Sequence, residues 1–264
     1  MRKGNVAVRA FEKLREDGVI ALIDSGLYYL TSRQHKYFKR RWAVRKRHFL
    51  MKRRYGAVAD PYKIVTVDPD QITKSLTKPR PPWYDGKWSM YGRIQDGDWD
   101  IECTHSFEEK ENYQAMQSHF LEGVPWEKSG IIDHYWGMVQ TEDRNSIHGC
   151  QTREELLNYY EGIDELFAEI QENGFHKIPR TGRLDPRDYD VVSVHIDRNG
   201  VFIFSGSGNH RLCIAKILEI DKIPVRILGR HEQWQELRDE IHNNGLPDSY
   251  EDLRDHPDLQ DVLD

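Results

Sequence analysis

Hydrophobic residues recur at a spacing of three or four positions in several stretches of this chain. The clearest predicted helix starts at Thr152, which forms a T-x-x-E capping box with Glu155, and ends at the stop signal Asn173-Gly174. Further helices are predicted over 106–122 and 210–218 and around Trp234, Leu237 and Ile241. The pattern therefore predicts several amphipathic helices packed on a common core.

Short runs rich in β-branched residues alternate with these helices. Strands are predicted over 63–67, 191–196, 201–204 and 223–227, and Asn199-Gly200 between the second and third is a strong hairpin signal. Lys78–Gly86 contains three prolines and is predicted to be a loop. This order of elements predicts the α+β class, with a small mixed sheet and packed helices.

Composition and length exclude several classes of protein. The chain has 264 residues, of which 38% are hydrophobic and 31% charged, so it can form one large domain with appendages. The longest apolar stretch, Val19–Leu30, is too short to span a bilayer, and no secretory signal follows Met1. Three separate cysteines without a C-x-x-C pair indicate neither disulfides nor structural zinc. We therefore predict a cytoplasmic protein, with peripheral attachment to a membrane as an option.

Charge is distributed unevenly along the chain. Residues 1–59 carry 16 basic and 4 acidic side chains, and residues 33–55 carry eleven basic and no acidic ones, interleaved with aromatics such as Trp42 and Phe49. This predicts a basic helical arm. It would pack on an acidic protein surface, lie on an anionic membrane, or follow the phosphates of a nucleic acid. We predict three parts: an arm at 1–59, a domain at 60–245 with a helical insertion near 75–150, and a loosely held acidic tail at 246–264.

Candidate chemistry is concentrated at residues 205–212, SGSGNHRL, between a predicted strand and a predicted helix. Two glycines allow the backbone to approach a ligand closely, and the first N–H groups of the helix point outward with partial positive charge. His210 and Arg211 would add charge-assisted hydrogen bonds. The turn therefore predicts an anion site, although a glycine-rich turn before a helix is often only a turn.

The run SGSGNHRLCIAKILEIDKIPVRI resembles the ParB/sulfiredoxin-like superfamily, and KIVTVDPDQI at 63–72 resembles its opening strand. The resemblance implies a nucleotide-binding domain that takes ATP, ADP or CTP. The implied phosphate contacts lie in the turn, at Gly206, Ser207, Gly208, Asn209, His210 and Arg211.

Two departures from the superfamily pattern narrow the prediction. Asn209 stands where sulfiredoxins have a cysteine, and 37 residues after Ile227 leave little room for the helix-turn-helix domain of partition proteins. The free-serine-kinase-like members are therefore the closest. By resemblance we expect a magnesium-dependent phosphotransferase or nucleotide hydrolase that acts on a small hydroxylated acceptor.

Such an enzyme needs carboxylates for magnesium and for a general base. Asp98 and Asp100 are predicted for both roles, with Asp68 and Asp70 as competitors, and His210 is predicted to be catalytic. Alternatively these carboxylates only cap backbone N–H groups or pair with the basic helix. Two other functions stay open: a nucleic-acid-associated ParB-like module or nuclease, and a non-catalytic membrane-surface adaptor.

Overall fold

The computed structural model describes residues 40–76, 80–81, 83–84, 90–141, 146–176, 178–179 and 189–263. Residues 1–39 of the predicted basic arm lie outside these ranges. By its internal contacts the chain divides into two units, Met1–Lys46 and Arg47–Asp264. In the first unit, the described residues 40–46 are helical, and every described strand belongs to the second unit.

The strands of the second unit form one seven-stranded and one two-stranded sheet within the described ranges. They are β1 (Ile64–Val67), β2 (Lys74–Leu76), β3 (Arg93–Gln95), β4 (Thr104–Ser106), β5 (Ile178–Pro179), β6 (Tyr189–Asp190), β7 (Val192–Ile196), β8 (Phe202–Phe204) and β9 (Ile223–His231).

The described α-helices alternate with these strands. They are α1 (residues 40–54), α2 (Trp99–Glu102), α3 (Glu111–Glu122), α4 (Ile131–Thr141), α5 (Arg153–Asn173), α6 (Asn209–Ile217), α7 (Glu232–Asn244) and α8 (Gln260–Leu263).

Strand order in the larger sheet is β1-β9-β7-β8-β2-β4, and β3 pairs with the far end of β9. β7 and β8 form the predicted antiparallel hairpin, with Val194 opposite Phe204. The chain then crosses through α6 to β9, which runs parallel to β7. Parallel and antiparallel pairs thus occur in one sheet, and the predicted mixed α and β class is confirmed.

The faces of the sheet differ in character. Val194 and Ile196 of β7 belong to the same buried apolar cluster as Leu212 of α6. Because side chains alternate along a strand, the intervening His195 points to the opposite face, where its ring lies 5.8 Å from that of Trp99. The glycine-rich turn connects β8 to α6, so it lies at one edge of this packed layer.

The longest described helix, α5, begins and ends as its sequence predicts. The Thr152 hydroxyl accepts a hydrogen bond from the Glu155 N–H at 3.1 Å, and the Glu155 carboxylate accepts one from the Thr152 N–H at 3.3 Å. Gly174 follows its last residue. None of the described helices is both long enough and apolar enough to cross a membrane.

The helical insertion predicted near 75–150 contains the helices α2, α3 and α4. This region also supplies β3 and β4, which pair with β9 and β2 respectively. The helix predicted over 106–122 begins at Glu111, because Ser106 caps a short 3-10 turn at Phe107–Glu109 instead. Three-residue strands of this kind carry too little periodicity to be recognised from sequence.

The expectation of a loosely held tail is wrong. Asp258 and Leu259 are fully buried, and Asp258 accepts hydrogen bonds from Arg230 Nε at 2.8 Å and from the Trp234 indole at 3.0 Å. The acidic composition of residues 246–264 predicted that this segment is exposed to solvent. One of its carboxylates instead neutralises arginines in the interior, which attaches the segment to the sheet.

Candidate functional site

The glycine-rich turn is held against β7 by main-chain hydrogen bonds. The Ser205 N–H donates to the Ser193 carbonyl at 2.9 Å, and the Ser193 N–H donates to the Ser207 carbonyl at 3.0 Å. The Ser205 hydroxyl also donates to the Ser193 carbonyl. The turn is therefore a fixed extension of the hairpin, which gives α6 a defined starting point.

The two glycines of the turn have different roles. Gly206 (φ +89°) is exposed, and a Cβ there would meet no atom within 4 Å. Gly208 (φ +83°) precedes α6, and a Cβ there would lie 2.9 Å from the Val192 Cα. Gly208 thus allows close packing of the helix start on β7, whereas Gly206 leaves the turn open to solvent.

Asn209 and His210 belong to a hydrogen-bond network below the turn. The buried Asn112 amide nitrogen donates to the Tyr160 hydroxyl at 2.6 Å and lies 3.2 Å from His210 Nε2. Its oxygen accepts from the Asn209 amide at 2.8 Å and from the Cys213 thiol. All four hydrogen-bonding positions of Asn112 are used, so this side chain fixes α3 to α5 and α6.

His210 is held in the neutral form. Burial lowers its pKa to about 4, with a further contribution from His148. Because Asn112 donates to Nε2, the proton resides on Nδ1, which lies 3.4 Å from the Tyr159 hydroxyl. At neutral pH His210 therefore supplies no positive charge for a phosphate.

Arg211 contacts the residues that follow α5. Its guanidinium donates to the His176 carbonyl and lies over the Phe175 ring, 4.1 Å from the centroid. These contacts connect α6 to the segment after α5. Arg211 was predicted to bind phosphate, and its guanidinium here packs on the segment that follows α5.

A cavity of about 560 Å³ opens at the end of β8, beside the turn; we call it the strand-end cavity. Ser205 and Gly206 form one wall of it. Its other described lining residues include the cations Arg80 and Lys110 and two histidines, His105 and His134, and burial lowers the pKa of His105. Glu111 is the one carboxylate among the described lining residues. The balance of charge favours an anionic ligand.

Lys110 is the most deeply set of these cations. Burial lowers its pKa, and neighbouring Cys213 and Glu111 act in the opposite direction. Its Nζ lies 5.6 Å from the centre of the Phe204 ring. A half-buried ammonium of this kind gains from an anionic ligand, because the ligand compensates for the water it has lost.

Aromatic side chains complete the cavity. Tyr84, Tyr135 and Phe204 line it, and the Arg80 guanidinium lies over the Tyr84 ring at 4.4 Å. The cavity thus combines cations with flat apolar surfaces, and its volume falls in the range of small-molecule sites. A phosphorylated compound with a planar group fits this combination.

Asp98 and Asp100 are held in a separate cluster. Asp100 is 2% exposed and binds Arg198 through both oxygens, at 2.9 Å from Nε and 2.7 Å from Nη2. Asp98 accepts from the same guanidinium at 2.8 Å. Burial by itself would raise the pKa of Asp100, but the hydrogen bonds from Arg198 outweigh burial and lower it. Arg198 lies in the hairpin turn before β8, whereas the glycine-rich turn follows β8.

These two carboxylates do not fit a magnesium site. Their inward oxygens are already neutralised by a guanidinium, and no group of three potential ligands occurs within the described parts of the chain. The competitor Asp70 pairs with Lys216 at 3.3 Å, and Asp68 caps the turn at Pro69–Gln71. The structure therefore gives these aspartates structural partners.

Among the described residues that line the strand-end cavity, Gly206 is the one that was predicted to bind phosphate. Ser207 and Gly208 shape the turn, Asn209 and His210 contact Asn112 of α3, and Arg211 contacts the segment after α5. Sequence reasoning missed Arg80, His105 and Lys110, which lie on a loop, an unrecognised strand and a helix start. No local pattern marks them, since tertiary packing alone brings them to the end of β8.

No protein-family model, curated protein or solved structure matches the chain. The resemblance to the ParB/sulfiredoxin-like superfamily therefore stays a prediction from sequence.

Proposed function

We propose that this protein binds a nucleotide, or a phosphorylated compound of similar size, in the strand-end cavity. The observation that carries the proposal is the convergence of Arg80, Lys110 and two histidines on an open glycine turn. Cations beside a glycine-rich turn are common surroundings of bound phosphates. The ATP, ADP or CTP implied by the sequence resemblance fit such surroundings.

The activity we propose is transfer or hydrolysis of a terminal phosphoryl group. Such reactions depend on positioning and on neutralising charge at the phosphate oxygens. Lys110 and Arg80 would supply positive charge, and Gly206 would let the main chain approach the phosphates. His210 positions α6 through Asn112 and is not assigned a catalytic role. Asp98 and Asp100 do not fit a magnesium site, so no step is assigned to a metal.

The first test is binding of ATP, ADP and CTP to the full chain, with and without magnesium, by thermal shift and calorimetry. Magnesium is included because nucleoside triphosphates carry it in solution. A ligand at one hundred times its Kd adds about 2.7 kcal/mol to the free energy of unfolding. If none of the three nucleotides raises the midpoint, the proposal fails.

Variants then locate the binding site. Lys110→Met removes one charge-assisted contact, worth about 1.5–3 kcal/mol, so the Kd for ATP should rise about tenfold to one-hundredfold. Lys128→Met is the matched control, because Lys128 is exposed and lies outside the cavity. Equal affinities of the two variants would contradict the assignment.

Arg211→Ala distinguishes this site from the one predicted by sequence. Since Arg211 contacts Phe175 and His176, we expect lower stability but little change in nucleotide affinity. Loss of binding in a variant that is still folded would place the phosphate at the start of α6 instead.

A membrane-surface role is a second candidate, supported by the part of α1 from Arg47 onward. Phe49 and Leu50 are exposed there, next to the exposed cations Lys52 and Arg53. The Arg53 guanidinium lies over the Phe49 ring at 4.5 Å. Exposed apolar side chains among cations are typical of interfacial helices. The double variant Phe49→Ser/Leu50→Ser should sediment more weakly with anionic liposomes than the wild-type protein does. If the variant and the wild-type protein sediment equally with liposomes and are retained equally on duplex DNA, the result favours nucleic acid as the partner of this helix.

A further inference from the structure

A second cavity, of about 350 Å³, lies between α3 and α4; we call it the helix-pair cavity. It shares two lining residues, Glu111 and His134, with the strand-end cavity. These two side chains therefore stand at the boundary between two adjoining spaces, and a ligand in either space would contact them.

Helical periodicity explains how the second cavity is built. Glu111, Gln114 and Ser118 lie at i, i+3 and i+7 on one face of α3. On α4, Ile131 and His134 lie at i and i+3 and face the same space. Since Lys110 directly precedes Glu111, the start of α3 supplies a cation to one cavity and a carboxylate to both.

The two cavities differ in the chemistry they offer. The described residues lining the helix-pair cavity include no lysine or arginine, and Gln114, Ser118 and Ser129 supply neutral hydrogen-bonding groups. Glu111 adds a negative charge. No described residue forms a hydrogen bond or an ion pair with the Glu111 carboxylate. This lining disfavours a second phosphate and suits a small compound with hydroxyl or amine groups.

We infer that the helix-pair cavity binds the phosphoryl acceptor, a small hydroxylated compound of neutral or positive charge, and that Glu111 is the general base; this role rests on the proposed nucleotide binding. The acceptor oxygen attacks the terminal phosphorus of a nucleoside triphosphate in the strand-end cavity. A new P–O bond forms, the bond to the bridging oxygen breaks, and a nucleoside diphosphate leaves. The hydroxyl proton passes to the Glu111 carboxylate and then to solvent.

Acceptor binding is tested without nucleotide by saturation-transfer NMR on the full chain. The probes are ethanolamine, glycerol and glycerate, which are small, hydroxylated and of different charge. We expect binding in the order ethanolamine, glycerol, glycerate, because Glu111 is the one carboxylate among the described residues that line this cavity. Strongest binding of glycerate, or binding of none of the three, would overturn the inference.

Filling the helix-pair cavity with a large side chain tests whether the acceptor binds there. Ser118→Trp should abolish the probe signals, whereas Gln140→Trp, on an exposed position of α4 outside both cavities, should preserve them. Both variants should keep the wild-type affinity for ATP, which also shows that they are folded. Probe signals that persist in Ser118→Trp would place the acceptor elsewhere.

The base is tested by following transfer from ATP to ethanolamine or glycerol with phosphorus NMR. Glu111→Gln should lower the rate about 10²- to 10⁴-fold while the Kd for ATP does not rise, because the variant removes a negative charge from the wall of the strand-end cavity. If ATP fails to bind the wild-type protein, the proposed function fails. If ATP binds but Glu111→Gln transfers phosphate at the wild-type rate, only the assignment of Glu111 is refuted.

Discussion

Replacing Asp258 with asparagine removes the negative charge at the centre of a buried ionic cluster. The carboxylate accepts hydrogen bonds from Arg230 at 2.8 and 2.5 Å and from the Trp234 indole at 3.0 Å. Arg238 and Lys63 lie 3.4 and 3.6 Å away. Burial alone would raise the pKa of Asp258, but Arg230 and its other cationic neighbours lower it. At neutral pH the carboxylate is therefore ionised.

The size of the expected loss of stability follows from the two buried guanidinium groups that lose the negative charge of Asp258. Arg230 is 4% and Arg238 0% exposed, so neither guanidinium can recover the lost interaction from water. Breaking a buried ion pair by removing one partner costs about 3–5 kcal/mol. For a chain of 264 residues, with an entropy of unfolding of about 2.1 cal/mol/K per residue, that corresponds to a decrease of about 5–9 °C in the melting temperature. The loss should also release the segment around Leu259, which is fully buried beside Asp258.

Urea denaturation of the full chain, followed by tryptophan fluorescence, measures this loss. Glu251→Gln is the matched control, since Glu251 pairs with Arg254 on the surface and both side chains are more than half exposed. We expect no measurable change in that variant. If Asp258→Asn lowers the free energy of unfolding by less than about 1 kcal/mol, the ionic cluster does not hold the C-terminal segment in place.

The remaining predictions concern the turn, the network beneath it and the buried imidazole of the opposite sheet face. Gly208→Ala should lower the free energy of unfolding by about 2–3 kcal/mol, because φ is positive there and the new Cβ would meet Val192. Gly206→Ala should lower it by only about 1 kcal/mol, the cost of the positive φ. Equal losses for the two variants in urea titrations would argue against a close approach of Gly208 to Val192. Asn112→Ala leaves several buried groups without their hydrogen bonds and should cost about 2–4 kcal/mol by the same measurement, so a loss under 1 kcal/mol would mean that the network is dispensable. Burial lowers the pKa of His195 to about 3, below the value of about 6.5 expected in the unfolded chain. The contribution of neutral His195 to the free energy of unfolding is fully present above pH 6.5 and decreases by on the order of 3 kcal/mol by pH 4. Urea titrations at pH 7 and pH 4 should therefore show a smaller loss of stability on acidification for His195→Gln than for the wild-type protein.

Local rules predicted much of the framework. The capping box at Thr152 and the Asn199-Gly200 hairpin depend on residues within four positions of each other, so sequence is sufficient to recognise them. The short strands β2, β3 and β4 were missed, because three residues held by distant partners carry no periodic pattern of their own.

Local rules were less informative for the candidate site. The composition of 205–212 pointed to an anion site, but the roles of its side chains depend on which helices approach it. His210 and Asn209 face Asn112, and Arg211 faces Phe175, none of which is a neighbour in sequence. Asp100 was a candidate metal ligand until the hairpin placed Arg198 against both of its oxygens.

The sequence by itself determined the helices α5, α6 and α7, the central hairpin and a glycine turn that opens a helix, since these follow from short-range hydrogen bonding and hydrophobic periodicity. Only the tertiary structure decided which charges are neutralised internally and which remain facing a cavity. The reason is that a charged side chain acquires its role from the groups packed around it, and Lys110 and Asp258 obtain their surroundings from strands and helices far along the chain.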